Sequence, residues 1–254
     1  MRIQYASDLH LEFKENTLYL QENPLPVNGD ILILAGDILL FGKNKLEQHP
    51  FFDRCADHFQ ETYIIPGNHE YYNETELSDS LAGFEYFLRP NVRYLNNRHI
   101  LAGQTELFFT TLWCVIDTLQ LLPVQTGVAD CHRIIYNGRR FTSQDYGEIH
   151  HHCFSWLKES LSTSLAKHKV IVTHHCPTDR FRDPRFIGST ISSAFTVRLD
   201  DFVEQCHADY WIYGHTHYNS GGALIGKTQL LCNQLGYVRH GENRSFDATA
   251  CFEI

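Results

Sequence analysis

Asp30-Ile-Leu-Ile-Leu-Ala-Gly-Asp37 is an unbroken apolar run that ends in a glycine and a carboxylate. A run without polar alternation is expected for a strand buried on both faces, the usual state of central strands in a helix-covered sheet. Asp37 then stands at the carboxyl end of a core strand, where open α/β sheets bind their ligands. The glycine before it permits a tight turn and a close approach of other groups. Taken alone, the segment equally describes an aspartate opening a surface loop, so the other strand ends have to decide.

Upstream, Ile3–Ala6 is a short strand that delivers Ser7-Asp8-Leu9-His10. Alternation along an extended chain puts Asp8 and His10 on one side and turns Leu9 into the packing. Downstream, Tyr63-Ile-Ile-Pro-Gly67 leads to Asn68-His69-Glu70, Lys169–Thr173 to His174-His175-Cys176-Pro177, and Asp209–Tyr213 to Gly214-His215-Thr216-His217. Each has a simple structural explanation singly. Jointly they place metal-type ligands at the same edge of one sheet, always directly after an apolar strand.

The intervening chain supplies the covering layers. Residues 44–61 predict a helix, and Asn73 with Glu76 resembles a capping box that starts another, ending near Arg89-Pro90. Val92–Leu95, Ile100–Ala102 and Glu106–Val115 read as antiparallel hairpins, so the sheet continues into, or is joined by, a second one. Residues 118–141 show little periodicity and hold Arg133, Arg139 and Arg140; they predict a lid or substrate loop, or else a solvated loop with scattered charge. Thr142–Lys167 is an amphipathic helix through Tyr146, Ile149, Cys153, Leu157, Leu161 and Leu165. Its consecutive His150, His151 and His152 point about 100° apart and cannot share one ion. Thr196–Ala208 predicts a further helix, and Ala223–Ile225, Thr228–Cys232 and Asp247–Glu253 close the chain in β-structure.

Length and composition bound the function. The 254 residues, 43% hydrophobic, suit one large domain spanning 1–254. A formal charge of −9 disfavours nucleic acid as a partner, because such binding neutralises phosphates with Lys and Arg. A phosphate-bearing small substrate stays compatible once divalent cations invert the local field. Sixteen histidines motivate a search for metal spacing, and eight cysteines without a Cys-x-x-Cys pair read as buried thiols of a reducing compartment. With no signal-type apolar segment and no run of about 18 apolar residues, no membrane association is expected and the localisation reads as cytoplasmic.

The ordered set Asp8-x-His10, Gly36-Asp37, Gly67-Asn68-His69-Glu70, His174 and Gly214-His215-Thr216-His217 resembles the signature of the calcineurin-like metallophosphoesterase superfamily. Thr111-Leu112-Trp113 and Asn233 to Tyr237 resemble its small bacterial members. The resemblance implies an α/β fold, a four-layer α/β/β/α sandwich of two mixed sheets flanked by helices, with two divalent metal ions at the carboxyl edge. One ion would be held by Asp8, His10, Asp37 and His217, the other by Asp37, Asn68, His174 and His215, with Asp37 as the bridge. A shared carboxylate offsets the repulsion of ions about 3.5–4 Å apart. Mixed imidazole and oxygen ligation suits manganese, iron, zinc or nickel.

The implied activity is hydrolysis of phosphoester bonds in a small-molecule substrate. A hydroxide bridging the ions would attack phosphorus in line, and His69 would assist departure of the alcohol, which makes Asp37 and His69 the catalytic residues. Phosphodiesterase action is favoured over phosphomonoesterase action; a nuclease and a non-catalytic scaffold of the same fold are the alternatives. His175 either contacts substrate or simply packs. Arg180, Arg182 and Arg185 lie on a loop at the metal edge, where guanidinium forks match phosphate oxygens. The interleaved Asp179 and Asp183 equally predict surface ion pairs.

Overall fold

The computed structural model describes residues 1–42 and 45–254. The apolar run forms the strand Ile31–Leu34, buried at every position. Ile31, Ile33 and Ala35 enter a core shared between two sheets, while Leu32 and Leu34 enter a second core under the outer helices. Alternation is missing because both faces are covered.

In chain order the strands are β1 (Arg2–Ala6), β2 (Ile31–Leu34), β3 (Glu61–Ile64), β4 (Phe84–Arg89), β5 (Val92–Asn96), β6 (Arg98–Ala102) and β7 (Thr105–Thr110). They continue as β8 (Ile135–Tyr136), β9 (Arg139–Arg140), β10 (His168–Thr173), β11 (Tyr210–Tyr213), β12 (Ala223–Ile225), β13 (Thr228–Cys232) and β14 (Cys251–Glu253). The helices are α1 (Lys14–Glu22), α2 (Lys45–Gln48), α3 (Pro50–His58), α4 (Leu121–Gly127), α5 (Asp130–Arg133), α6 (Asp145–Thr163) and α7 (Asp200–Gln205).

One six-stranded sheet runs β14-β1-β2-β3-β5-β4 and the other β12-β13-β11-β10-β7-β6. Each has a parallel centre and an antiparallel strand at either edge. Leu107, Phe109, Val170, Val172, Ile212 and Leu231 of the second sheet meet the inward residues of the first. Leu20 of α1 with Phe52 and Cys55 of α3 covers one outer face; Ile149, Cys153 and Leu157 of α6 with Val203 of α7 cover the other. This is the expected four-layer sandwich. All eight cysteines are free thiols, and five of them, including Cys114, Cys131 and Cys153, are buried. Among the described residues no helix is long and apolar enough to cross a membrane.

Several expected elements take another form. The helix expected over 44–61 is split into α2 and α3, since Pro50 has no N–H to continue α2 and instead opens α3; residue 44 lies outside the described residues. No α-helix follows Asn73, only a 3-10 turn at Ser78–Ser80. Asn73 and Glu74 are both left-handed, the Glu76 carboxylate accepts from the amides of Asn137 (2.9 Å) and Gly138 (3.0 Å), and the chain enters β4. Glu76 thus holds the β8–β9 turn rather than a helix start.

The 118–141 segment is not a structureless loop but a 3-10 turn, α4, α5 and the β8–β9 hairpin, anchored through Val124, Cys131 and Ile134. Helix α6 stops at Thr163, which leaves Leu165 fully in solvent. Only Asp200–Gln205 of the stretch from Thr196 is helical, because Val197 and Leu199 donate their amides to the carbonyls of Cys176 and Pro177. Helix α1 was not expected: it buries only Asn16 and Leu20, too sparse an apolar stripe to read.

Candidate metal centre

The parallel strands β1, β2, β3, β10 and β11 all end at one edge of the sandwich, where Ser7 bridges to Gln234 between the two sheets. The loops that leave them carry unusual backbone. Asp8, His10, Asp37, His215 and His217 have φ of 55°, 48°, 56°, 73° and 50°, the left-handed region that L-residues rarely adopt. The loops are locked together by main-chain bonds from Asp8 N to Gly36 O, His10 N to Asp37 O and Gly236 N to Asp8 O. Strain of this kind persists where the surroundings over-determine it, and it clusters at functional sites.

Two donor clusters that share Asp37 result, and a third group, His10, Glu12 and His69, adjoins them. In the first, Asp8, His10, Asp37 and His217 bring one ligand-type atom each within 4.8 Å of the others. His10 turns Nδ1 to Glu12 (3.0 Å) and His217 turns Nδ1 to Glu242 (2.7 Å), so their Nε2 atoms face each other at 3.0 Å. Imidazole oriented by a carboxylate on its far nitrogen is the usual arrangement of a metal-binding histidine. Burial opposes charge on His217, but its bonds to Asp8 and Glu242 raise its pKa to about 10. A field that holds a proton so firmly also attracts a cation, which would displace that proton.

In the second cluster, Asp37, His174 and His215 converge within the same limit. His174 donates Nδ1–H to the Ala35 carbonyl (2.8 Å), which leaves Nε2 facing Asn68 Oδ1 at 3.1 Å and Asp37 Oδ1 at 3.4 Å. Those oxygens only accept. Either the ring carries a second proton or the three atoms share a cation, and despite burial the Asp37 charge lifts the His174 pKa to about 9. His215 turns Nε2 to the Ala194 carbonyl (3.2 Å), which leaves Nδ1 for the cluster. Buried carboxylates, an amide oxygen and inward imidazole nitrogens fit divalent transition ions.

The glycines before these donors have a steric reason. A Cβ at Gly67 would overlap Asp37 Oδ1 and lie 2.6 Å from His174 Nε2; one at Gly214 would lie 2.6 Å from Asp8 Oδ2. Gly67→Ala is therefore expected to cost about 1–3 kcal/mol by overpacking and to spread the second cluster, with urea unfolding and metal content as the measurements.

His69 lies beside both clusters. Its amide donates to Asp37 Oδ1 (2.9 Å), Nδ1 bonds Glu12 (2.9 Å), and Nε2 lies 3.2 Å from the Tyr237 hydroxyl. Glu12 Oε1 thus serves His10 and His69 together as a hydrogen-bond acceptor. Glu70 ties two loops, accepting from the amides of Asp37 (3.0 Å), Ile38 (2.8 Å) and Gly67 (2.7 Å). Burial and the Asp37 charge push its carboxyl up to about 8.

A cleft of about 350 Å³ opens from Asp37, Asn68 and His69 between the 127–130 segment and residues 182–196, with Val128, Phe186, Ile191 and Phe195 as apolar wall. Arg182 and Arg185 line it, ion-paired with Asp179 and Asp183. Arg180 does not; its Nε pairs with Asp200 at 2.6 Å. His175 is also not part of the cleft wall. It is fully buried, stacked on Trp113 with the His215 ring tilted against its other side, and backs the second cluster from behind. Arg139 forms a bidentate pair with Asp145, Arg140 pairs with Glu74, and Arg133 rests over the Tyr72 ring.

The supporting groups Glu12, Glu70, Tyr72, Asp130, Tyr237 and Glu242 were not legible as such in the sequence. Glu12 carried a signal in that it extends the alternation Asp8-x-His10-x-Glu12, while Glu70 and Tyr237 stood inside quoted motifs without a role.

Two packed mixed sheets thus gather histidines and carboxylates at their strand ends, in clusters that could hold metal ions. The profile of the calcineurin-like phosphoesterase family matches residues 1–219, and the chain belongs to that family. The uncharacterized protein L509 of Acanthamoeba polyphaga mimivirus is 29% identical over 283 aligned residues, covering 100% of this chain and 97% of the relative. Among solved structures, the phosphopantetheinyl hydrolase PptH of Mycobacterium tuberculosis superposes with a TM-score of 0.70 at 16% identity, over 97% of this chain and 93% of its own. The protein TT1561 of Thermus thermophilus gives 0.49 at 13% identity, over 92% and 88%.

Proposed function

We propose that this chain is a dinuclear metal-dependent hydrolase of phosphoester bonds that prefers diesters. The observation that carries the reading is the placement of Asp37: Oδ2 lies 3.8 Å from His10 Nε2 and Oδ1 3.4 Å from His174 Nε2, so one carboxylate faces both donor clusters. Asp8, His10, Asp37 and His217 would hold one ion, and Asp37, Asn68, His174 and His215 the other. Two divalent ions bound there would activate water and neutralise the phosphoryl oxygens.

The remaining work falls to the chain itself. Glu12 anchors Nδ1 of His69, so the ring presents Nε2 beside the Tyr237 hydroxyl and can pass a proton from it to the departing oxygen. The cleft exceeds what a bare phosphate fills, and its apolar wall suits the organic substituent of a phosphoester. Its guanidinium groups are matched by carboxylates and it offers no basic track, which supports a small molecule over nucleic acid. Phosphopantetheinyl compounds belong in the substrate panel because of the PptH fold match.

The test is elemental analysis of purified protein together with hydrolysis of p-nitrophenyl phosphate and bis-p-nitrophenyl phosphate, manganese being supplied first. About two ions per chain and faster diester cleavage are expected. Faster monoester cleavage would redirect the reading to phosphomonoesters. Protein that takes up no metal and turns over neither ester would leave the fold as a scaffold.

A further inference from the structure

Asp130 is the only carboxylate between Asp117 and Asp145 and stands at the first position of α5. It is 1% exposed. Its Oδ1 accepts from Asn68 Nδ2 (2.8 Å) and the Tyr72 hydroxyl (2.6 Å), and its Oδ2 accepts from the Tyr146 hydroxyl (2.5 Å). On the other side of the same amide, Asn68 Oδ1 faces His174 Nε2 at 3.1 Å. Tyr72 in turn packs under the His69 ring, with centroids 4.2 Å apart and the planes inclined by 32°.

An asparagine amide has two orientations of nearly equal shape, with oxygen and nitrogen exchanged. Turned over, Asn68 would aim its oxygen at a carboxylate, which only accepts, and its NH₂ at the second donor cluster, where it would repel a cation. We propose that Asp130 is the positioning residue that selects the ligating orientation of Asn68, so that a residue of the 118–141 segment controls the second ion. Tyr146 and Tyr72 hold the carboxylate from two sides, which ties this control to α6 and to the platform beneath His69. The inference rests on the dinuclear reading above.

The experiment is calorimetric titration of metal-stripped protein with manganese. The native chain, expected to show two sites, is the control on the dinuclear reading; if it binds fewer than two ions, that reading fails first. Asp130→Asn keeps the volume but has one acceptor oxygen: placed on Tyr146 it turns its NH₂ to Asn68 and frees that amide to turn over, and Asp130→Ala, which can accept from neither Asn68 nor the tyrosines, removes the restraint in any orientation. The first ion should bind as in the native chain, and the second about 10–100-fold more weakly. Adding Asn68→Asp to Asp130→Asn reverses donor and acceptor across the pair and should restore the second ion. Tyr146→Phe, which leaves the Asn68 contact in place, should keep second-ion affinity near native.

Two native-like sites in both folded variants, Asp130→Asn and Asp130→Ala, would overturn the assignment while leaving the dinuclear reading intact. Should Asp130→Asn fail to fold, the paired variant decides. Recovery of near-ultraviolet dichroism and of the second ion supports the positioning role; failure to recover them means that Asp130 holds the fold and not the amide.

Discussion

Asp37→Asn is expected to empty both metal positions. Its two oxygens point to different clusters, and each is buried among groups that leave no room for compensation. An amide cannot serve both. If its NH₂ takes the Oδ1 position, it meets the His69 amide hydrogen, which now donates at 2.9 Å. If it takes the Oδ2 position, it faces the His10 cluster with the wrong polarity. In either orientation the centre loses one negative charge between two cations, so the affinity for each ion should fall by more than the roughly 10–100-fold typical of a supporting residue. Elemental analysis should then give less than one ion per chain. Thermal unfolding supplies an independent reading: native protein gains about 2.7 kcal/mol from an ion present at a hundredfold excess over its dissociation constant. The variant should lose most of that metal-dependent gain. A variant that still holds two ions would end the bridging role of Asp37.

The position of Asp37 was open to sequence reasoning because its causes are local. An apolar run buried on both faces shows no alternation, and the break into Gly36-Asp37 marks where the strand leaves the core. The same holds for Gly67-Asn68, His174 and Gly214-His215: each donor follows a strand whose burial is visible in its composition. Even the glycines are explained by distance alone, since neighbouring donor side chains occupy the space of a Cβ at Gly67 and Gly214.

What stayed hidden depends on tertiary approach. Glu242 orients His217 across 25 residues, and Asp130 reaches Asn68 across 62; no spacing rule connects such partners. Asn73 and Glu76 satisfied a capping pattern, but Glu76 found stronger donors in the amides of the distant β8–β9 turn. Residues 118–141 looked structureless because their helices are too short to establish a period. For His175, beside His174, the sequence left substrate contact and packing both open, and the turn after β10 carries it into the core against Trp113.

His69→Ala is expected to separate metal binding from turnover. The ring sends Nδ1 to Glu12 and Nε2 toward Tyr237, and in the dinuclear reading neither nitrogen belongs to a metal. Removing it deletes the group best placed to protonate the departing oxygen while His10 keeps its own bond to Glu12. Metal content should stay at the native value and kcat should fall about 10²–10⁴-fold, the usual worth of a positioned general acid. The size of the loss should depend on the substrate. A p-nitrophenolate leaves readily without a proton, so bis-p-nitrophenyl phosphate should lose less than a diester of a simple alcohol or phenol. Equal losses on both would mean that His69 stabilises charge at phosphorus instead of delivering a proton. Loss of metal along with activity would place the imidazole among the ligands, and Glu12, which joins His69 to His10, would then be the first residue whose role has to be revised.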